Sequence, residues 1–251
     1  MNIELKENER IDDLGRRGYK IIQNSKKFCF GVDAALLAWF AQVKENEKVL
    51  DLGTGTGIVP LLMDARNAVG DYTGLEIQAD MVEMAGRSVE LNGAQDHMRM
   101  VEGDIKLATE QFPRASFDVV TTNPPYMAAG NGLTNPDLSK ALARHEILCN
   151  LEDVIRAAAG LLKTGGRFYM IHRPTRLPEI LKWMEQYKIA PSRLITIHPF
   201  EDRDATMILI SGTRGGRDLL TVEQPIIIYE TENKYTEQIV RIYDDDYRKV
   251  N

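Results

Sequence analysis

Short apolar runs alternate with amphipathic stretches along most of this chain. Lys48–Leu52 is apolar and stopped by glycine, and Tyr72–Ile77, Met98–Glu102, Phe117–Thr122 and Arg167–His172 repeat the pattern of a short strand. Between them Ile58–Ala65, Ala79–Leu91 and Leu151–Leu162 read as helices. The second of these is closed by Asn92-Gly93 and the third by Gly165-Gly166, residues that tolerate the left-handed conformation. Gly31–Phe40 is strongly apolar and predicts a helix packed near the first strand. Alternating strands and helices imply right-handed crossovers and a doubly wound α/β fold. The rhythm changes at Arg193–Pro199 and Thr206–Ser211, whose separation is too short for a helical crossover, so these two runs pair antiparallel. The expected architecture is a mostly parallel seven-stranded sheet with an antiparallel C-terminal hairpin. Arg214–Arg217 reads as an exposed basic loop, followed by a peripheral strand at Pro225–Tyr229 and a helix at Tyr235–Tyr243.

Composition narrows the class. With 251 residues, 43% hydrophobic and 27% charged, the chain can bury one large core. It divides into an N-terminal arm (1–27), a core (28–212) and a C-terminal extension (213–251) of a single domain. No apolar run reaches the roughly 18 residues of a membrane span, and the charged stretch Met1–Arg17 does not resemble a signal peptide. Cys29 and Cys149 match no zinc spacing and fit a reducing cytoplasm. The expectation is a cytoplasmic monomer without a metal or a membrane partner.

Net charge is −6, which argues against a nucleic-acid partner until the distribution is considered. Residues 10–27 hold six bases against two acids, and residues 163–217 hold ten against five. They flank an acidic middle, 28–162, with ten bases and nineteen acids. Basic segments on either side of an acidic centre leave an RNA partner open.

Chemistry concentrates at strand ends. Asp51-Leu52-Gly53-Thr54-Gly55-Thr56-Gly57 ends the first strand and opens a helix, and its glycines let a ligand approach the backbone closely. Nicotinamide and flavin enzymes use similar loops, but the spacing here is G-x-G-x-G rather than G-x-G-x-x-G. Glu76, at the next strand end, can accept hydrogen bonds from the two hydroxyls of a ribose, and Asp104, after the third, can meet the amine of an adenine. These strand ends describe a nucleoside site. Directly after the fourth strand stands Asn123-Pro124-Pro125-Tyr126. The prolines fix an extended turn, Asn123 and Pro124 offer carbonyl acceptors, and Tyr126 offers an aromatic plane. That set suits a planar NH2 group attached to a π system.

In motif order, over residues 28–212, the chain resembles the S-adenosylmethionine-dependent methyltransferases with a Rossmann-like fold, in their amino-group branch. The resemblance implies that the loop at Gly53, Gly55 and Gly57, with Asp51, holds the methionine part of S-adenosylmethionine. It assigns Glu76 to the ribose hydroxyls and Asp104 and Ile105 to the adenine, with Ile77 also in the cofactor-binding set. Asn123, Pro124, Pro125 and Tyr126 would be the catalytic set, with Asn123 also against the cofactor. The segment Lys27–Leu37, with Ala143-Arg144-His145-Glu146 downstream, is similar to the bacterial tRNA adenine-N6 methyltransferases, which modify a valine tRNA, and it adds Phe30 and Asp33 to the cofactor set. The RNA would meet Arg16, Arg17, Lys26 and Lys27 of the arm, and Arg173 and Arg176 after the fifth strand.

The same branch includes methyltransferases for DNA adenine, ribosomal RNA guanine and release-factor glutamine, and a noncatalytic nucleotide-binding module is a further alternative. His145 and His172 are read as structural residues rather than bases, and Ala128–Gly132 as a loop able to close over substrate.

Overall fold

The computed structural model describes residues 3–26, 31–67, 69–124, 149–217 and 219–243. The segment read as a basic arm is a folded hairpin, β1 (Glu9–Asp13) and β2 (Lys20–Asn24), paired antiparallel. Ile21 and Ile22 are both fully buried, so β2 is covered on two faces and shows no polar–apolar alternation. Gly15 and Gly18, with φ of 67° and 71°, turn the chain between the strands.

The predicted alternation follows: α1 (Val32–Phe40), β3 (Lys48–Leu52), α2 (Ile58–Asn67), β4 (Asp71–Glu76), α3 (Ala79–Leu91), β5 (Met98–Glu102), α4 (Ala108–Gln111), β6 (Phe117–Thr122), α5 (Leu151–Leu161) and β7 (Leu162–His172). The five strands β3 to β7 are parallel, in the order β5-β4-β3-β6-β7. Chain direction across the sheet reverses between β3 and β6. Their carboxyl ends therefore border the crevice where a doubly wound sheet receives ligands. Asn92 and Gly93 (φ 65°) end α3 as the sequence predicts.

Gly165-Gly166 does not end a helix. α5 stops at Leu161 and β7 begins at Leu162, so both glycines lie inside a strand. The β6–β7 register slips there, between Phe117↔Leu162 and Val119↔Arg167, and Gly165 takes φ 83°. These are bulge glycines.

After α6 (Leu177–Gln186) come β8 (Ile189–His198) and β9 (Met207–Arg214), the predicted antiparallel pair. β9 inserts between β7 and β8, completing seven long strands, and β10 (Thr221–Val222) and β11 (Ile226–Ile227) extend the sheet to nine beyond β8. Arg214 belongs to β9 rather than to an exposed loop: its guanidinium donates to the carbonyls of Ala159 and Tyr187, both at 3.0 Å. A small hairpin, β12 (Tyr229–Thr231) and β13 (Lys234–Tyr235), leads to α7 (Glu237–Tyr243). One core joins α1, α2 and α7 to the sheet, and a second joins α5 and α6 to its other face.

The N-terminal hairpin lies along α3. Ile22 N–H donates to Ser88 Oγ at 3.0 Å, and the Asn92 side chain bridges the Lys20 backbone at 2.8 and 2.6 Å. β2 thus climbs from the amino edge of the sheet towards its carboxyl edge.

Candidate active site

The turn after β3 is built around two buried carboxylates. Asp51 is 2% exposed and accepts from Thr121 Oγ1 at 2.7 Å, its cross-strand neighbour on β6. Burial pushes its carboxyl up to about 7, against the bond from Thr121 and with a smaller push from the charge of Glu76. Gly53, Gly55 and Gly57 take φ of 72°, 55° and 77°, which L side chains rarely adopt. A Cβ on Gly53 would meet only Ile105 Cδ1, at 3.8 Å, so the face of the loop is open. Beneath it, a Cβ on Gly74 would lie 2.7 Å from Thr54 Cγ2, so the loop can settle on β4 only over glycine.

Glu76 binds the loop directly. Its Oε2 accepts from Gly55 N–H at 3.0 Å, and its Oε1 from the backbone and side chain of Gln78 at 3.1 and 3.2 Å. A carboxylate has about four lone-pair sites, so capacity remains on Oε2 for a hydroxyl donor. Asp104 Oδ1 caps the short turn Ile105–Leu107 by accepting from Lys106 N–H at 2.9 Å. Ile77, 40% exposed, and half-buried Ile105 put apolar surface at neighbouring strand ends, as a flat ring requires.

Asn123 and Pro124 follow β6 at the same edge. Thr122 Oγ1 donates to the Leu52 carbonyl at 3.0 Å, tying the end of β6 to that of β3. Asn123 Nδ2 donates to Asp33 Oδ2 at 3.1 Å, and Asp33 is buried in the first turn of α1. The glycine loop, the start of α1 and the Asn-Pro turn therefore converge. Lys27, Phe30, Pro125, Tyr126, Ala128–Gly132 and His145 lie outside the described residues.

A small cavity behind Pro124 is lined by Cys149, Asn150, His172 and Arg176. His172 is 1% exposed, and its Nδ1 accepts from Arg173 N–H at 2.8 Å. Burial, helped by the Arg176 charge, lowers its pKa to about 4, so the ring is neutral, as a structural histidine would be. Burial pushes the Cys149 thiol up to about 12, which removes it as a nucleophile.

The cations assigned to RNA are dispersed. Arg16 is buried and donates to the Ile242 carbonyl. Arg16 and Arg17 sit in the hairpin turn at the amino edge, near Tyr19, whose hydroxyl donates to Asp64 at 2.7 Å. Exposed Lys26 is at the opposite end, towards the site. Arg173 Nη1 donates to the Thr206 carbonyl at 3.0 Å, and Arg176 pairs with Glu179 at 2.9 Å beside the Pro124 cavity. Thr121 and Gln78, which hold Asp51 and Glu76, carry no sequence signature of their own; Thr121 becomes visible only once β3 and β6 are known to be neighbours.

The matching profile described as "Methyltransferase domain" covers residues 43–221, from just before β3 to β10. The chain belongs to this methyltransferase-domain family. Among curated relatives, a tRNA1(Val) (adenine(37)-N6)-methyltransferase of Flavobacteriaceae bacterium strain 3519-10 is 26% identical, over 92% of this chain and 93% of its own length. The protein of the same name from Porphyromonas gingivalis is 27% identical over 86% and 88%. Among solved structures, a predicted O-methyltransferase of Agrobacterium tumefaciens aligns with TM-score 0.69 and 26% identity, covering 85% of this chain and 96% of that one. Within this methyltransferase, no described helix is long and apolar enough to cross a membrane, and no three described His, Cys, Asp or Glu side chains gather as metal ligands.

Proposed function

We propose that this protein transfers the methyl group of S-adenosylmethionine to the exocyclic N6 of an adenosine in tRNA. The observation that carries the reading is the Asn123–Asp33 hydrogen bond beside an open glycine loop. A carboxylate accepts and does not donate, so the NH2 end of Asn123 faces Asp33 and its Oδ1 end becomes the acceptor for a substrate amine. The names of the curated relatives give the base and the RNA.

The cofactor fits the residues present. Positive-φ glycines leave the loop face open for its methionine part, Glu76 retains acceptor capacity for ribose hydroxyls, and Ile77 and Ile105 suit an adenine beside Asp104. Asp33 completes this set from the first turn of α1, and we add Phe30 to it. When bound, S-adenosylmethionine supplies the activated methyl. The N6 lone pair is delocalised into the purine. Asn123 Oδ1 and the Pro124 carbonyl would accept its two N–H bonds, favouring a pyramidal nitrogen aimed at the methyl, while Pro125 and Tyr126 support and stack the flipped base. The proton leaves to water. Lys26, Arg173 and Arg176 would meet RNA at the carboxyl edge, Arg17 more remotely, and we add Lys27 to the RNA contacts.

Incubation with labelled S-adenosylmethionine and, separately, tRNA, ribosomal RNA, DNA and release factor tests the substrate. Label in tRNA is expected; label only in protein would overturn the reading.

A further inference from the structure

A concentration of cationic side chains surrounds a cavity away from the Asn-Pro turn. Between α4, α5 and the end of α6 is a cavity of about 410 Å³ lined by Lys106, Arg114, Arg156, Lys188 and Arg214, with no Asp or Glu in its wall. In a protein of net charge −6 this is a marked local excess. Arg156 is paired with Asp153 at 2.7 Å, and Arg214 is held by backbone carbonyls, so these two are fixed in place. Among the described residues, Lys106, Arg114 and Lys188 have no carboxylate partner. Lys188 projects from unusual backbone, at φ 57°, and the chain takes φ 51° at Ala115, next to Arg114. The floor is close-packed, since a Cβ on Gly160 would lie 2.8 Å from Thr109 Cγ2.

α5 runs between the two cavities: Leu151 and Val154 line the one behind Pro124, and Arg156 and Ala157 line the cationic one. Lys106 lies two residues beyond Asp104, in the short turn that the Asp104 side chain caps through Lys106 N–H. From there the cations run down α5, whose eleven residues span about 16 Å, to Lys188 and Arg214 at the amino edge of the sheet. A track of this length and sign fits successive phosphates of one strand better than a single anion.

We infer that this groove, rather than the N-terminal hairpin, is the principal seat of the RNA phosphate backbone, leading the strand towards Asn123. The inference rests on the tRNA reading only for the identity of the nucleic acid.

The test uses the whole chain carrying Lys106→Ala, Arg114→Ala and Lys188→Ala, with filter binding of tRNA over a salt series. Tenfold or greater loss of affinity is expected, and the slope of log K against log salt should fall by about 2 units, at 0.7–0.9 per lost contact. S-adenosylmethionine affinity should not change. The charge-preserving variant K106R/R114K/K188R should restore binding, which separates charge from folding. Unchanged affinity and slope in the alanine variant would overturn the groove. So would loss of ATP or pyrophosphate binding with tRNA affinity intact, which marks a small-polyanion site. Salt-dependent tRNA binding through these cations without methylation would leave the groove standing and sink the substrate assignment. Methylation with an unchanged KM for tRNA in the alanine variant would do the reverse.

Discussion

Asn123, after the fourth central strand, donates its side-chain amide to Asp33, in the first turn of a helix ninety residues earlier in the chain, at 3.1 Å. Asp33 thereby decides which end of Asn123 can face a substrate amine. Asp33→Ala should lower kcat by about 10- to 100-fold, the scale of lost positioning, and Asp33→Asn, whose amide oxygen can still accept, should retain more. Steady-state kinetics with tRNA as the varied substrate checks the order. Equal activity of Asp33→Ala and wild type would refute the positioning role.

Asn123→Ala removes the acceptor itself. Methyl transfer should fall about 100-fold or more while S-adenosylmethionine affinity stays within a few-fold. Single-turnover rates set against calorimetric affinities separate the two effects; near-normal turnover would overturn the mechanism.

Much of this was legible in the chain, for physical reasons. Strands β3 to β6 are short apolar runs bounded by Gly, Asn or Pro, and α3 has its predicted limits because Asn92-Gly93 can only stop it there. Asp51, Glu76 and Asn123 were visible because each ends such a strand. The Asp33–Asn123 and Thr121–Asp51 bonds were not, since each joins residues far apart in sequence and depends on strand order. The hairpin at 9–24 was hidden by its charges, and Gly165 read as a helix stop because a bulge uses the same left-handed geometry. Arg214 looked exposed beside Gly215, yet its partners are carbonyls on two other elements.

Asp51 makes stability depend on pH. Its carboxyl is raised by burial from 3.8 to about 7, so between these values the folded state holds a proton that the unfolded state has lost. Stability from this group is full below about 4 and declines as pH rises through about 7. Asp51→Asn escapes the decline. In cofactor-free protein its melting temperature relative to wild type should climb from pH 4 to pH 8. A difference independent of pH would contradict the burial argument.

Glu76 Oε2 carries two loads, the Gly55 N–H and the proposed ribose contact, while Oε1 is taken by Gln78. Glu76→Ala should weaken S-adenosylmethionine binding by about 1.5–3 kcal/mol, the range for a charge-assisted bond. Wild-type affinity by calorimetry would remove Glu76 from the cofactor site, and binding of a nicotinamide cofactor instead would reassign the loop.

The central claim is that the amine held by Asn123 belongs to an adenine in tRNA. Bulk tRNA incubated with the protein and S-adenosylmethionine, digested to nucleosides and resolved by mass spectrometry, tests it most directly. N6-methyladenosine should accumulate with time in the wild-type reaction and fall at least about 100-fold with Asn123→Ala. Methyl groups only on a ring nitrogen, a ribose oxygen or a guanine, or no methylated nucleoside at all, would contradict the account.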